Sequence, residues 1–292
     1  MTHAILILAH RDIVLLHKLI QYFDSNCFVF LHIDKCSTFT NDEILSLKNF
    51  KQVVSIYREF CVHWGGFSML QTELVLLERA LLECKADYFH LISGQDYPIK
   101  KLNVFMDFFK VNNGKSFVEY NFIPVHLWSI HDQWRYRYFL PFDLMETERL
   151  NTNKLSKWIK QQQECSFMRN LPTQFTNIYK GSQWFSITRN DAQLIIDYTH
   201  RFPSFCTKLK YSFAPEETYI VTLLVNKSTS ILINNNLRYI RWYGEHGNNP
   251  SNLAIEHYDD IARSNAFFCR KIDLNISQSL IDLLDNILYG ED

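Results

Sequence analysis

Apolar residues fall along this chain in two rhythms, and the change between them organises the reading. Up to about residue 115, short continuous apolar runs at 4–9, 28–33, 52–56 and 88–92 alternate with stretches of helical spacing. Ile13, Leu16, Leu19, Ile20 and Phe23 share one helical face, and Leu70, Leu74, Leu77 and Leu81 share another. Shorter helices are predicted over 42–48 and 103–110. Strands that are apolar throughout, alternating with helices, predict an α/β protein with a mostly parallel sheet flanked by helices.

Beyond residue 116 the rhythm becomes irregular. A strand is expected at 116–120, and 122–178 is aromatic and basic with a helical pattern near 153–164. Residues 181–188 alternate like one strand, 190–200 read as an amphipathic helix, and Phe213-Ala-Pro-Glu-Glu217 opens a helix to about 226. Residues 237–242 read as the last strand, and 277–288 as a helix capping the fold. No repeat or low-complexity segment interrupts the chain, and 8 Gly with 7 Pro leave little for a flexible linker. The expectation is one composite domain over 1–292: a parallel half (1–115), a mixed half (116–275) and a C-terminal helix (276–292).

Composition narrows the classes. With 47% hydrophobic and 21% charged residues among 292, the chain can bury a sizeable core. A net charge of -1 lacks the basic excess of a nucleic-acid binder. Aromatic residues at 15% suit a site that stacks rings or sugars. The first ten residues have no basic leader region and too short an apolar run to span a bilayer, so they read as the first strand. Seven cysteines, odd in number and without a C-x-x-C pair, predict reduced thiols in a cytoplasmic protein. Peripheral contact with the inner face of a membrane stays open.

Candidate chemistry gathers where strands stop. Three predicted strands end in His10-Arg11-Asp12, Asp34-Lys35 and Gly94-Gln95-Asp96. If these strands are neighbours, their ends form one rim, the usual place for a nucleotide in an open α/β sheet. Neither G-x-G-x-x-G nor G-K-[ST] is present, which argues against a dinucleotide fold or a P-loop. Asp96 is either a ligand-facing carboxylate or one that hydrogen-bonds its own turn. There is no H-E-x-x-H and no D-x-D at a strand end, so metal ligation is not expected, and Asp259-Asp260 reads as a solvated turn. A diphosphate leaving group would then need fixed cations, for which Arg270-Lys271 are candidates; the alternative is a surface pair. Glu216-Glu217 after Pro215 are either acids favoured by the helix dipole or a positioned general base, and spacing does not decide.

A resemblance adds to this reading. Ile5-Leu-Ile-Leu-Ala-His10, Leu31-His-Ile-Asp-Lys35, Val62-His-Trp-Gly-Gly66 and Leu91-Ile-Ser-Gly-Gln-Asp-Tyr-Pro-Ile-Lys100 appear in order. Gly181-Ser-Gln-Trp-Phe-Ser-Ile-Thr-Arg189, Phe213-Ala-Pro-Glu-Glu217, Leu237-Arg-Tyr-Ile-Arg-Trp242 and Phe268-Cys-Arg-Lys-Ile-Asp273 follow. Together they resemble glycosyltransferase family 14, which contains core-2/I-branching β-1,6-N-acetylglucosaminyltransferases and peptide O-xylosyltransferases. The resemblance implies a GT-A-like single domain whose first half holds a nucleotide-sugar and whose second half holds acceptor and catalytic groups. It implies inverting transfer without a divalent metal or other cofactor. N-acetylglucosamine from its UDP donor would move to a glycan or lipid-linked oligosaccharide hydroxyl. A xylosyltransferase or other UDP-sugar transferase, or a non-catalytic sugar-binding protein, are the alternatives.

By the same resemblance Glu217 is the general base, at the last carboxylate of the family's S-P-D-E pattern. Here that pattern reads Ala214-Pro215-Glu216-Glu217, with two departures beside the base. His10, Asp34 and Trp64 match donor-binding positions, and Lys271 matches the diphosphate contact, with Arg270 or Arg263 as candidates for a second cation. Glu119 and Trp242 match acceptor contacts, Arg135 or Arg137 lies in the matching basic stretch, and Asp96 is expected to shape the sugar pocket.

Overall fold

A computed structural model describes residues 1–123, 130–144, 152–169, 175, 177–242 and 250–290. The first half runs β1 (His3–Ala9), α1 (Ile13–Gln21), β2 (Cys27–Ile33), α2 (Asn41–Ser46), β3 (Val53–Tyr57), α3 (Phe67–Glu83), β4 (Tyr88–Ser93), β5 (Tyr97–Pro98) and α4 (Leu102–Val111). The middle of the chain contributes β6 (Lys115–Val118), β7 (Asn121–Ile123), α5 (Ile130–Arg137), α6 (Thr152–Glu164), β8 (Ile178–Lys180), β9 (Phe185–Thr188) and α7 (Arg189–Arg201). It closes with α8 (Pro203–Lys208), α9 (Glu216–Lys227), β10 (Ile231–Asn234), β11 (Arg238–Ile240), α10 (Tyr258–Arg263), β12 (Phe268–Arg270) and α11 (Leu274–Tyr289).

Seven strands form the central sheet in the order β10-β6-β9-β4-β1-β2-β3. Only β9 runs against its neighbours, β4 and β6. From β1 the chain winds outward through β2 to β3, then returns to pair β4 with the other side of β1. The carboxyl ends of β1 and β4 therefore lie at the point where strand order reverses, which opens a crevice in such sheets. Apolar side chains on both faces of β1 and β4 are buried, as continuous apolar runs require. One core packs α1, α4 and α11 on one face through Leu15, Phe105 and Leu280. A second packs α3, α7 and α9 on the other through Leu77, Ile195 and Leu223. A smaller cluster of Tyr138, Leu140 and Phe142 ties α5 and α6 to Phe213.

Four expectations need correction. The strand expected over 181–188 forms only at its end, as β9; residues 181–184 connect β8 to it, and Gly181 passes close to the backbone of Glu119. A side chain there would place its Cβ 1.7 Å from the Glu119 carbonyl oxygen. Residues 237–242 do not hold the last strand. β12 follows and pairs with β11 and β5, its three residues being too few to show a period. Asp259 and Asp260 form no turn but the first turn of α10, where acids suit the helix dipole.

The fourth correction concerns the thiols. Cys36 and Cys61 form a disulfide with Cα atoms 5.0 Å apart across 25 residues of sequence. Parallel pairing of β2 with β3 lays the segments after both strands side by side, with Lys35 N donating to Phe60 O at 2.9 Å. That long-range pairing makes the bond geometrically possible, and no C-x-x-C spacing announces it. One ground for the cytoplasmic expectation is thereby removed. Among the described residues no helix is long and apolar enough to cross a membrane.

Candidate active site

The rim foreseen from the strand ends exists, because β4, β1 and β2 are consecutive in the sheet. Asp34 N donates to Ala9 O and Gly94 N to Leu8 O, each at 2.8 Å, lacing the three ends together. The Asp34 carboxylate accepts from Cys36 N at 2.8 Å and Val62 N at 3.3 Å, so it anchors the segment that leads to Trp64. Asp34, Cys36 and Cys61 place ligand-type atoms within 4.8 Å of one another. Both sulfurs, however, are spent on each other.

Cations crowd this rim. Burial, then the charge of Arg11, pulls the His10 pKa below its usual value, with Lys271 and Arg270 acting in the same direction. Lys271 is likewise lowered by burial and by Arg270 and Arg11. The Arg270 guanidinium carbon lies over the Trp184 ring, 4.0 Å from its centroid. Its Nη1 is 3.6 Å from Asp96 Oδ1, an ion pair too long for a hydrogen bond. Nε and Nη1 of Arg270 are buried without hydrogen-bond partners among the described residues.

Asp96 itself is fully buried and accepts from Ser93 N at 3.1 Å. Burial raises its pKa even against the pull of Arg270. Of the two readings left open for Asp96, its own turn is the one realised, so in this arrangement no face of it is offered to a sugar. Its work is to hold Arg270. Beneath both, Arg238 donates to Leu91 O and Phe185 O at 3.1 Å, tying β11 to β4 and β9.

A second group assembles at the start of α9. Gly65 has φ 72°, and a Cβ there would lie 2.5 Å from the Phe213 ring. Without one, Ala214 N donates to Gly65 O at 2.9 Å and Trp64 packs edge-on against Phe213 at 5.1 Å. The donor-side loop and the segment leading into α9 are thus locked together. Arg135 sits 4.6 Å above the Phe213 ring and donates from Nη1 to Glu217 Oε2 at 2.9 Å. Lys180 Nζ lies 4.0 Å from the same oxygen, and Gly181 N donates to the Glu217 carbonyl at 2.8 Å. The Glu217 side chain is 27% exposed, reachable yet oriented. Burial, then the charge of Glu217, raises the pKa of Glu119, whose Oε2 accepts from Asn236 Nδ2 at 2.7 Å.

Sequence-expected residues therefore fall into two sets. His10, Asp34, Arg270 and Lys271 meet at the rim, and Trp64 bridges toward the second set of Glu217, Glu119 and Arg135. Arg137, half-buried two residues beyond Arg135 on α5, has no described contact with Glu217. Trp242 is exposed two residues past Ile240, whose register partner is Arg270, so it projects from the Lys271 end of the small sheet. Arg263, 78% exposed on α10, pairs weakly with Asp259. Arg11 was noted at the strand end but given no role, while Trp184, Lys180 and Glu73 were missed. Only Glu73 left a signal: it lies between Leu70 and Leu77 on the buried stripe of α3, a charge where an apolar residue belongs.

An α/β sheet with a cationic rim at its switch point and an oriented carboxylate across from it defines a ligand-binding, enzyme-like crevice. The profile of the Core-2/I-Branching enzyme family matches residues 4–262, and the chain belongs to that family. Xylosyltransferase 1 of Homo sapiens is 25% identical over 311 aligned residues, covering 97% of this chain and 29% of that protein. Xylosyltransferase 2 of Homo sapiens is 25% identical over 302 residues, covering 90% of this chain and 30% of that protein. The chain thus spans about three tenths of the length of these curated relatives. Among solved structures, S. aureus TarS 1-349 in complex with UDP-GlcNAc aligns with a TM-score of 0.30 and 15% identity, over 48% of this chain and 40% of that one.

Proposed function

We propose that this chain is an inverting glycosyltransferase that moves a sugar from a UDP donor to a glycan hydroxyl in β linkage without a divalent metal. The observation that carries this reading is the Glu217 carboxylate, aimed by Arg135 at 2.9 Å and partly exposed beside the rim. Glu217 takes the acceptor hydroxyl's proton as that oxygen bonds to the sugar's C1 and the bond from C1 to the diphosphate breaks. Negative charge then grows on the departing UDP, where Lys271 and Arg270 stabilise it. His10 and Asp34 border the nucleoside, with Trp64 between donor and base. Glu119 and Trp242 contact the acceptor. Asp96 contributes by keeping Arg270 in place.

N-acetylglucosamine is the donor sugar of the first reading. Two relatives named xylosyltransferases favour xylose as the second. A screen of UDP-sugars that follows UDP release with glycan and lipid-linked oligosaccharide acceptors distinguishes them. Release with UDP-N-acetylglucosamine above all others supports the first, and release with UDP-xylose alone the second. A chain that binds no UDP at all would instead be a sugar-binding or scaffolding protein.

A further inference from the structure

Beneath Glu217, two more glutamates lie inside the protein. Glu73 comes from α3 and Glu216 opens α9, and their side chains are 1% and 5% exposed. Gln183 Nε2 donates to Glu73 Oε1 at 3.1 Å. Oε2 of Glu73 and Oε2 of Glu216 are both buried without a hydrogen-bond partner among the described residues. Unpaired ionised carboxylates are strongly disfavoured in such a place, whereas a protonated carboxyl is tolerated and can donate.

Charged groups from several elements surround them. Glu216 faces Glu217 beside it on α9, Arg135 from α5 and Asp143 from the 3-10 turn at Phe142–Leu144. Glu73 feels Glu216 and Glu217. Arg135 Nη1 is engaged with Glu217, and Lys180 Nζ lies 4.0 Å from the same carboxylate oxygen. Burial, then the charge of Glu217, pushes Glu216 up to about 8, and burial with Glu216 raises Glu73 as well. The chain also carries Glu216 where the resemblance expects the shorter Asp, giving the carboxyl the reach to lie in the interior.

We infer that Glu73 and Glu216 form a buried carboxyl pair that retains a proton, and that Glu216 is a positioning residue whose neutral form leaves Arg135 to Glu217 alone. The inference rests on the reading of Glu217 as general base. When Glu216 releases its proton to solvent, a second anion competes for Arg135, and the aim of Glu217 at the acceptor hydroxyl is lost. Transfer therefore declines as pH rises through about 8.

Two measurements test this. The first needs no turnover: the infrared C=O stretch of a protonated carboxyl, present near neutral pH in the parent, weakens in Glu216→Gln and in Glu73→Gln. The second is the pH profile of kcat. In Glu216→Gln the alkaline decline disappears, because the amide cannot ionise. In Glu73→Gln the decline stays near pH 8, because Glu73 is still protonated when Glu216 ionises and a neutral amide leaves that balance unchanged. A purely structural role would not remove the decline in one variant and keep it in the other. The pair is overturned if neither variant changes the infrared band, or if all three proteins share one alkaline limb. A chain that transfers no sugar while the band behaves as described would overturn the glycosyltransferase reading and leave the carboxyl pair standing.

Discussion

The rim at the strand ends and the pocket at the start of α9 are built from opposite charges by opposite means. At the rim, Arg11, Arg270 and Lys271 crowd together, and their charges add to burial in lowering the proton affinity of His10 and, from the two arginines, of Lys271. Around α9, Glu73, Glu119, Glu216 and Glu217 outnumber the cations, and the buried members are driven toward their protonated forms. Each region is electrostatically unfinished in the sense its chemistry needs. The rim is relieved by an incoming anion, and the pocket is ready to accept a proton. Trp64, Gly65 and Phe213 join the two, which on the proposed reading lets donor and base act on one sugar carbon.

The largest test of this contrast is removal of the base. Glu217→Gln is expected to lower transfer by about 10²–10⁴-fold while UDP still binds in a calorimetric titration. Near-normal turnover would break the division of labour between the two regions. Next comes the support of the rim. Arg270→Ala leaves Asp96 buried and uncompensated, and should cost about 3–5 kcal/mol in denaturant unfolding at neutral pH. The deficit should shrink in Arg270→Ala/Asp96→Asn, and also on acidification, because burial already raises the Asp96 pKa and a protonated Asp96 needs no partner. An additive double variant would mean that the two are not a pair.

A smaller effect is expected from the staple on the donor side. Cys36→Ser with Cys61→Ser should lower stability by about 2–4 kcal/mol and weaken UDP binding, while Arg135 still holds Glu217. Unchanged UDP affinity would show that the disulfide does not shape the rim. The smallest expected effect is none. EDTA should leave transfer intact, since the rim supplies protein cations for the diphosphate, and loss of activity rescued by Mn²⁺ would overturn that division.

How much was legible beforehand differs between the two regions for a physical reason. In the parallel half, each strand buries both faces and each crossover helix buries one, so periodicity alone located β1, β2, β3, β4 and their helices within a few residues. Their polar endings then pointed to His10, Asp34 and Asp96. Glu217 was harder. An acidic residue in a first helical turn is common, and only the resemblance singled it out.

Resemblance did not foresee what Asp96 touches. A turn residue after a strand reads as ligand-facing, and its burial under Arg270 depends on β12, a three-residue strand arriving from 170 positions away. Nor did spacing reveal that the charge of Glu216 reaches Glu73, since that depends on the packing of α3 against α9.

By itself, then, the amino-acid sequence determined which segments become strands and helices, because burial period is a local property of the chain. It also determined that polar groups would sit at the strand ends. Tertiary structure alone decided which side chains meet: Arg270 with Asp96, Arg135 with Glu217, Cys36 with Cys61. Those pairings depend on strand order and helix packing across 25 to 174 residues of chain, a distance over which no local pattern carries information.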